Sequence, residues 1–142
     1  MRIIKLINGL EHPPLEYATS RSAGMDIMAA NYEPIILKAG KTAQVPTGVA
    51  FDICNGDYEV QIRSRSGLSF RDGVIVLNAP ATIDADYTGE VMILLHNVSD
   101  KDFIITRGMK IAQVVIARFY RFENVGVNYN ERGSNGFGST GV

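Results

Sequence analysis

The amino-acid sequence predicts an all-β domain, either a sandwich or a barrel. Three observations carry that prediction. Short runs rich in Val, Ile, Phe and Tyr recur along the chain, separated by turns marked with Gly, Pro, Asn and Asp. One of these runs, residues 58–63, alternates Tyr58, Val60 and Ile62 with Glu59, Gln61 and Arg63, the period of a half-buried strand. No segment sustains the 3.6-residue period of an amphipathic helix.

Residues 2–7 form a first strand ending at Asn8-Gly9. His12-Pro13-Pro14 excludes helix, because proline removes a backbone donor and restricts the residue before it. Residues 17–24 are polar and small. Short strands are expected at 26–30 and 34–37, the second closed by Lys38-Ala39-Gly40. Strands at 42–45 and 49–53 flank Pro46-Thr47-Gly48, and Asn55-Gly56-Asp57 is a strong turn signal. After the strand at 58–63, residues 66–70 predict one helical turn before Arg71-Asp72-Gly73. Residues 73–97 hold two apolar runs, Val74 to Leu77 and Val91 to Leu95, about a centre containing Asn78, Pro80, Asp84, Asp86, Tyr87 and Gly89. That pattern predicts a hairpin arm. Core strands at 103–105 and 111–119 follow. Residues 128–142 have almost nothing to bury, so the expectation is one β domain over 1–127 and a flexible C-terminal tail over 128–142.

A chain of 142 residues suits one core. With 46% hydrophobic and 20% charged residues, the composition is globular rather than disordered. A net charge of −1 supplies no basic field for nucleic acid or for an anionic membrane. An anionic ligand must therefore be held by a few local Arg or Lys residues. The single cysteine, Cys54, excludes an intrachain disulfide and reads as a small core residue. The start, MRIIKLING, shows no signal peptide, and no run approaches the ~18 apolar residues of a membrane span. A reducing cytoplasmic setting is the expectation.

Several stretches carry candidate chemistry. Asp84 and Asp86 share a face if that piece is extended, beside Tyr87, which would make a reactive centre. The competing reading is a polar turn, which this stretch alone favours, since Asp and Asn between strands usually bond locally. Arg63-Ser64-Arg65-Ser66-Gly67 sets guanidiniums and hydroxyls where a strand gives way to a helical turn. It is either an anion site or a solvated basic turn, and taken alone the turn is favoured. Gly136-Phe137-Gly138-Ser139-Thr140-Gly141 matches GxGxxG formally, yet no strand precedes it, no helix follows and no acid lies beyond. Arg132 and Phe137 nevertheless suit a lid, with phosphates against the guanidinium and a flat ring against the phenyl. His12 and His96 with one cysteine make no zinc site, and no Ser-His-Asp set stands out.

Together these segments resemble the five ordered motifs of the trimeric dUTPase family. They are Ala23-Gly24-Met25-Asp26-Ile27-Met28-Ala29-Ala30, then Arg65-Ser66-Gly67-Leu68-Ser69, then Gly73 through Asn78 to Ile83-Asp84-Ala85-Asp86-Tyr87-Thr88-Gly89-Glu90. Gly108-Met109-Lys110-Ile111-Ala112-Gln113 and Arg132-Gly133-Ser134-Asn135-Gly136-Phe137-Gly138-Ser139-Thr140-Gly141 complete the set. The resemblance implies a jelly-roll-like distorted β-barrel, a homotrimer with shared active sites, and Mg²⁺-dependent hydrolysis of dUTP to dUMP and pyrophosphate. That reaction limits uracil incorporation into DNA and supplies dUMP for dTMP synthesis. By resemblance, Asp84 activates the attacking water. Asn78, with Thr82, Ile83 and other arm groups, reads uracil, and Tyr87 excludes a ribose 2′-hydroxyl. Arg65, Ser66, Gly67 and Gln113 hold phosphates, and Asp26 reaches Mg²⁺ through water. From the tail, Arg132 binds the γ-phosphate, Phe137 covers uracil between Gly136 and Gly138, and Ser139 and Thr140 add phosphate contacts.

The chain departs from the family pattern at Ser64 (commonly proline), Ser69 (alanine), Ala81 (glycine), Lys110 (arginine) and Asn135 (glycine). Alanine at 81 is strained if that position needs φ > 0. Two rivals share the fold. dCTP deaminase and its bifunctional relative need a glutamate in the strand after the arm, but residues 91–97 contain no acid. A non-enzymatic jelly-roll module would have no need of Asp84, Tyr87, Arg132 and Phe137 at these spacings.

Overall fold

The structure, a computed structural model, describes residues 4–6, 15, 17–53 and 56–122, the first three as backbone. Within them the chain forms β1 (Ile4–Leu6), β2 (Gly24–Met28), β3 (Ile35–Leu37), β4 (Thr42–Pro46), β5 (Val49–Phe51) and β6 (Tyr58–Arg63). Helix α1 (Ser66–Asp72) follows, then β7 (Val74–Val76), β8 (Ala81–Ile83), β9 (Met92–Asn97), β10 (Phe103–Ile105) and β11 (Lys110–Arg118). The expected all-β class is the observed one. Residues His12, Cys54 and Asn55, and the 127/128 boundary, lie outside the described residues.

Two larger antiparallel sheets, ordered β2-β11-β6-β8 and β4-β9-β7, enclose the core, with the pairs β1-β5 and β10-β3 beside them. Among the described residues the sheets do not join into one closed ring, so the architecture is a distorted β-barrel. Their inner faces meet in a single cluster that includes Met25, Ile27, Val60, Ile62, Val114, Val45, Ile93 and Leu95. The alternation in β6 buries Val60 and Ile62 and leaves Glu59, Gln61 and Arg63 on the other face. Asn97 is fully buried yet satisfied. Its amide donates to Leu37 O and Lys101 O, and its Oδ1 accepts from the Ser99 N–H and hydroxyl.

Helix α1 runs two residues beyond the expected turn at 66–70. It stops at Gly73, whose φ of 63° is left-handed and whose N–H returns to Ser69 O at 3.2 Å. A hairpin is observed in the arm as expected, with Val74 opposite Asn97 and Val76 opposite Leu95. The arm is not a simple hairpin, however. Its centre contains β8, which leaves the β7–β9 sheet and pairs with β6, setting Ile83 opposite Val60 and Ala81 opposite Ile62. Ala81 is thus in extended strand, and the strain that a left-handed backbone would bring does not arise.

Candidate active site

The site-bearing face is the outer side of the β2-β11-β6-β8 sheet. Gln113 on β11 stands between Asp26 on β2 and Arg63 on β6, and directly opposed residues share a face. Gly24 and Val115 lie one step along on that side. Strict alternation would put Lys110, three positions before Gln113, on the inner face. A register shift between Lys110 and Ala112 reverses that parity and pairs Lys110 with Met28. Lys110 is thereby delivered to the face that carries Asp26, while Ile111 and Ala112 are both buried.

These placements build a charged cluster. Asp26 Oδ1 accepts from Arg65 Nε at 2.8 Å, and its Oδ2 meets Lys110 Nζ at 2.9 Å. Arg65 Nη1 also donates to Lys110 O at 3.0 Å, so the guanidinium is held at two points. Burial raises the Asp26 pKa, but the Lys110 hydrogen bond and the charges of Arg65 and Lys110 outweigh it, and the net shift is downward. Gln113 Nε2 donates to Ser64 O at 2.9 Å, and the Ser64 hydroxyl accepts from Val76 N at 2.9 Å. Gly24, Asp26, Arg63 and Gln113 line an open cleft of about 400 Å³ with Ser22 and Val115. Arg65 lies at the N-cap of α1 in extended conformation, with no side-chain cap over the helix start, so the first amides at Ser66 and Gly67 are left to another acceptor. Among the described residues no three His, Cys, Asp or Glu side chains gather as a metal cage.

The arm residues lie elsewhere in the chain. Asn78 is exposed in the turn after β7, and Thr82 projects from β8 opposite Gln61. Asp84 and Asp86 do not form an extended same-face pair. Asp84 follows the last residue of β8, Ile83, and a turn runs on through Ala85 and Asp86, with Tyr87 N donating to Asp84 O at 3.1 Å. The local-turn alternative is the observed one. Tyr87 is half-buried; burial raises its pKa, and the Glu90 carboxylate adds to the rise. Its hydroxyl donates to Glu90 O at 2.9 Å.

Of the sequence-derived candidates, the fold brings together Asp26, Arg65, Ser66, Gly67 and Gln113. Asn78, Thr82, Ile83, Asp84 and Tyr87 form a second group on the arm. Arg132, Gly136, Phe137, Gly138, Ser139 and Thr140 lie outside the described residues. Sequence reasoning had no place for Lys110 as an ion-pair partner of Asp26, because the bulge that turns it has no local signature.

Fold and cluster define the class: an all-β domain of the distorted-barrel, β-clip type with a charged cleft on one sheet face. The dUTPase family model matches residues 11–141. The deoxyuridine 5′-triphosphate nucleotidohydrolase of Rickettsia felis is 50% identical over 130 residues, covering 89% of this chain and 87% of its own. The protein of the same description from Rickettsia bellii is 48% identical over 145 residues, covering 100% and 95%. Among solved structures, a mutant Staphylococcus bacteriophage 80alpha dUTPase with dUpNHpp superposes with a TM-score of 0.75 at 26% identity, covering 98% of this chain and 97% of that one. The chain belongs to the dUTPase family and is an enzyme of that family. No helix among the described residues is long and apolar enough to cross a membrane.

Proposed function

We propose that this chain hydrolyses dUTP to dUMP and pyrophosphate by attack of water on the α-phosphorus, limiting uracil incorporation into DNA and supplying dUMP for dTMP synthesis in the cytoplasm. The observation that carries this is the family match over residues 11–141, which spans every candidate site residue. Asp84 is the general base: a carboxylate accepts the proton and aims the oxygen. Arg65, the amides at Ser66 and Gly67, and Gln113 hold the phosphates, and the fixed guanidinium offsets charge as pyrophosphate leaves. Asn78 with Thr82 and Ile83 reads the uracil edge, and Tyr87 excludes a 2′-hydroxyl. Arg132 takes the γ-phosphate, Phe137 covers the base between Gly136 and Gly138, and Ser139 and Thr140 add phosphate contacts.

Mg²⁺ would supply charge neutralisation along the triphosphate. Each Asp26 oxygen accepts one charged donor and retains a further lone pair, which fits an Asp26 that reaches the ion through water. The separation of the two groups supports the homotrimer. Ile83 is opposite Val60, and Arg65 lies five positions further along the chain, so Asp84 and Arg65 of one chain are roughly 15–20 Å apart at ~3.3 Å per residue. That span is long for one triphosphate to bridge within one chain, and this supports a site completed by a second subunit's arm.

The test is pyrophosphate release with Mg²⁺ from dUTP, dCTP, dTTP and UTP. Release from dUTP alone is expected. Release from several nucleotides would sink the roles of Asn78 and Tyr87. Asp84→Asn is expected to lower kcat at least about 100-fold while dUpNHpp still binds; activity within a few-fold of wild type would remove Asp84 from its role.

A further inference from the structure

The arm's descending base is fastened to the turn between β4 and β5 by a compact set of bonds. Consecutive N–H groups of Thr47 and Gly48 converge on one Glu90 carboxylate oxygen, at 3.2 Å and 2.7 Å. Gly48 has φ 67°, and Thr47 is only 1% exposed. Successive amides turned to one side in such a turn form an anion-binding concavity, and Glu90 fills it from within the chain. The Thr47 hydroxyl donates to Val91 O at 2.6 Å, and Val91 N donates to Val49 O at 2.8 Å. From this anchor the bonds run outward. Glu90 O accepts from the Tyr87 hydroxyl, and Asp84 O accepts from Tyr87 N.

We infer that Glu90 is a positioning residue for sugar selection, its carboxylate locking the arm base to the turn at Thr47 and Gly48 so that Tyr87 is held where a ribose 2′-hydroxyl must clash. This rests on the role proposed above for Tyr87. A carboxylate on two amides is stronger than a neutral pair, and removing it leaves two part-buried donors without that acceptor. The tyrosine hydroxyl would then bond to a carbonyl free to shift. Steric exclusion fails first when its wall moves, so discrimination suffers more than turnover of the smaller sugar.

The test measures kcat/KM for dUTP and UTP in wild type, Glu90→Ala, Glu90→Gln and Tyr87→Ala, with melting temperature and oligomeric state alongside. In Glu90→Ala the dUTP-over-UTP ratio is expected to fall on the order of tenfold. Glu90→Gln keeps an accepting oxygen and is expected to stay near the wild-type ratio. Equal losses for both nucleotides in Glu90→Ala, with the ratio intact, would make Glu90 a structural anchor alone and overturn the inference. Tyr87→Ala separates the two claims. If it keeps the wild-type ratio, Tyr87 does not select the sugar and both fail; if it loses selectivity while Glu90→Ala does not, only the role of Glu90 fails. Should Glu90→Ala not fold, Glu90→Asp retracts the carboxylate by one methylene. Lost selectivity in that variant supports the anchor, and a wild-type ratio overturns it.

Discussion

Gly24→Ala tests the cleft with a single methyl group. A Cβ at position 24 would stand 2.5 Å from Gln113 Oε1, too close to persist, while Gln113 Cδ and Cβ at 3.4 Å and 3.6 Å are in or near ordinary contact. Only the amide must move. Gly24 lies in β2 without a positive φ, so alanine adds no backbone strain. The displaced amide is the one that donates to Ser64 O at 2.9 Å. Losing that bond costs about 0.5–1.5 kcal/mol, and the gain from a less flexible unfolded chain returns about 0.4–1 kcal/mol. Stability should therefore change little, with the melting midpoint within ~5 °C of wild type. Substrate binding should change more, because a misplaced Gln113 would no longer meet the phosphates it is proposed to hold. We expect kcat/KM for dUTP to fall about threefold to tenfold, equivalent to ~0.7–1.4 kcal/mol. Steady-state kinetics and thermal unfolding on Gly24→Ala, Gln113→Ala and the double variant decide it. With Gln113 already truncated, the added methyl has nothing to displace and should cost nothing further. An unchanged kcat/KM in the single variant, or a second full loss in the double, would refute the reasoning.

Gly73→Ala should be the more damaging glycine change for the fold. A left-handed alanine costs ~1–2 kcal/mol, and its Cβ would meet Ser99 Cβ at 2.9 Å and the unyielding backbone Ser99 N at 3.1 Å. A midpoint lowered by at least about 4 °C is expected, and thermal unfolding at fixed protein concentration reads it. Asp26 has a pKa held below its usual 3.8, so its ion pairs stabilise the fold fully above that value and lose effect as pH falls through the lower folded value. The stability gap between wild type and Asp26→Asn in urea should therefore be open at pH 6 and narrow below about pH 4; a gap independent of pH would contradict the ion pairs. Deleting residues 132–142 should keep the oligomer and remove most dUTP turnover, as gel filtration with a pyrophosphate assay will show.

What could be read from the chain was local. The limits of β6 coincide with the expected 58–63 because its alternation is written in six consecutive residues. β2 begins two residues before the expected start, since Gly24 and Met25, poor and neutral strand signals, are held by Val115 and Val114 of β11. β8 was invisible: Ala81-Thr82-Ile83 beside Pro80 looks like the polar centre of a hairpin, and the partner that makes it a strand lies some twenty residues upstream. The candidate site divides in the same way. Asp26, Arg65, Gln113, Asp84 and Tyr87 were found through the family motifs, and composition alone would have left each a turn or a surface charge. Lys110 needed the bulge, and Glu90 needed the turn it reaches across more than forty residues.

The departures from the family pattern show why such long-range partners decide whether a substitution is tolerated. Serine at 64 offers a hydroxyl that proline lacks, and that hydroxyl accepts from Val76 N at the root of the arm while its carbonyl holds Gln113. The change therefore links the arm to the Asp26–Arg65 cluster instead of loosening it. Ser69 uses its hydroxyl on Arg65 O at 3.0 Å, within the turn that carries the guanidinium. Lys110 gives up the fork of an arginine, yet the bond that steadies Arg65 comes from its main-chain carbonyl, which any residue supplies. Its ammonium needs to reach only one oxygen of Asp26, and it does so at 2.9 Å. Each replaced side chain thus either kept its contact through the backbone or gained one that the usual residue could not make, which is why the cluster stays intact with three of its neighbours changed.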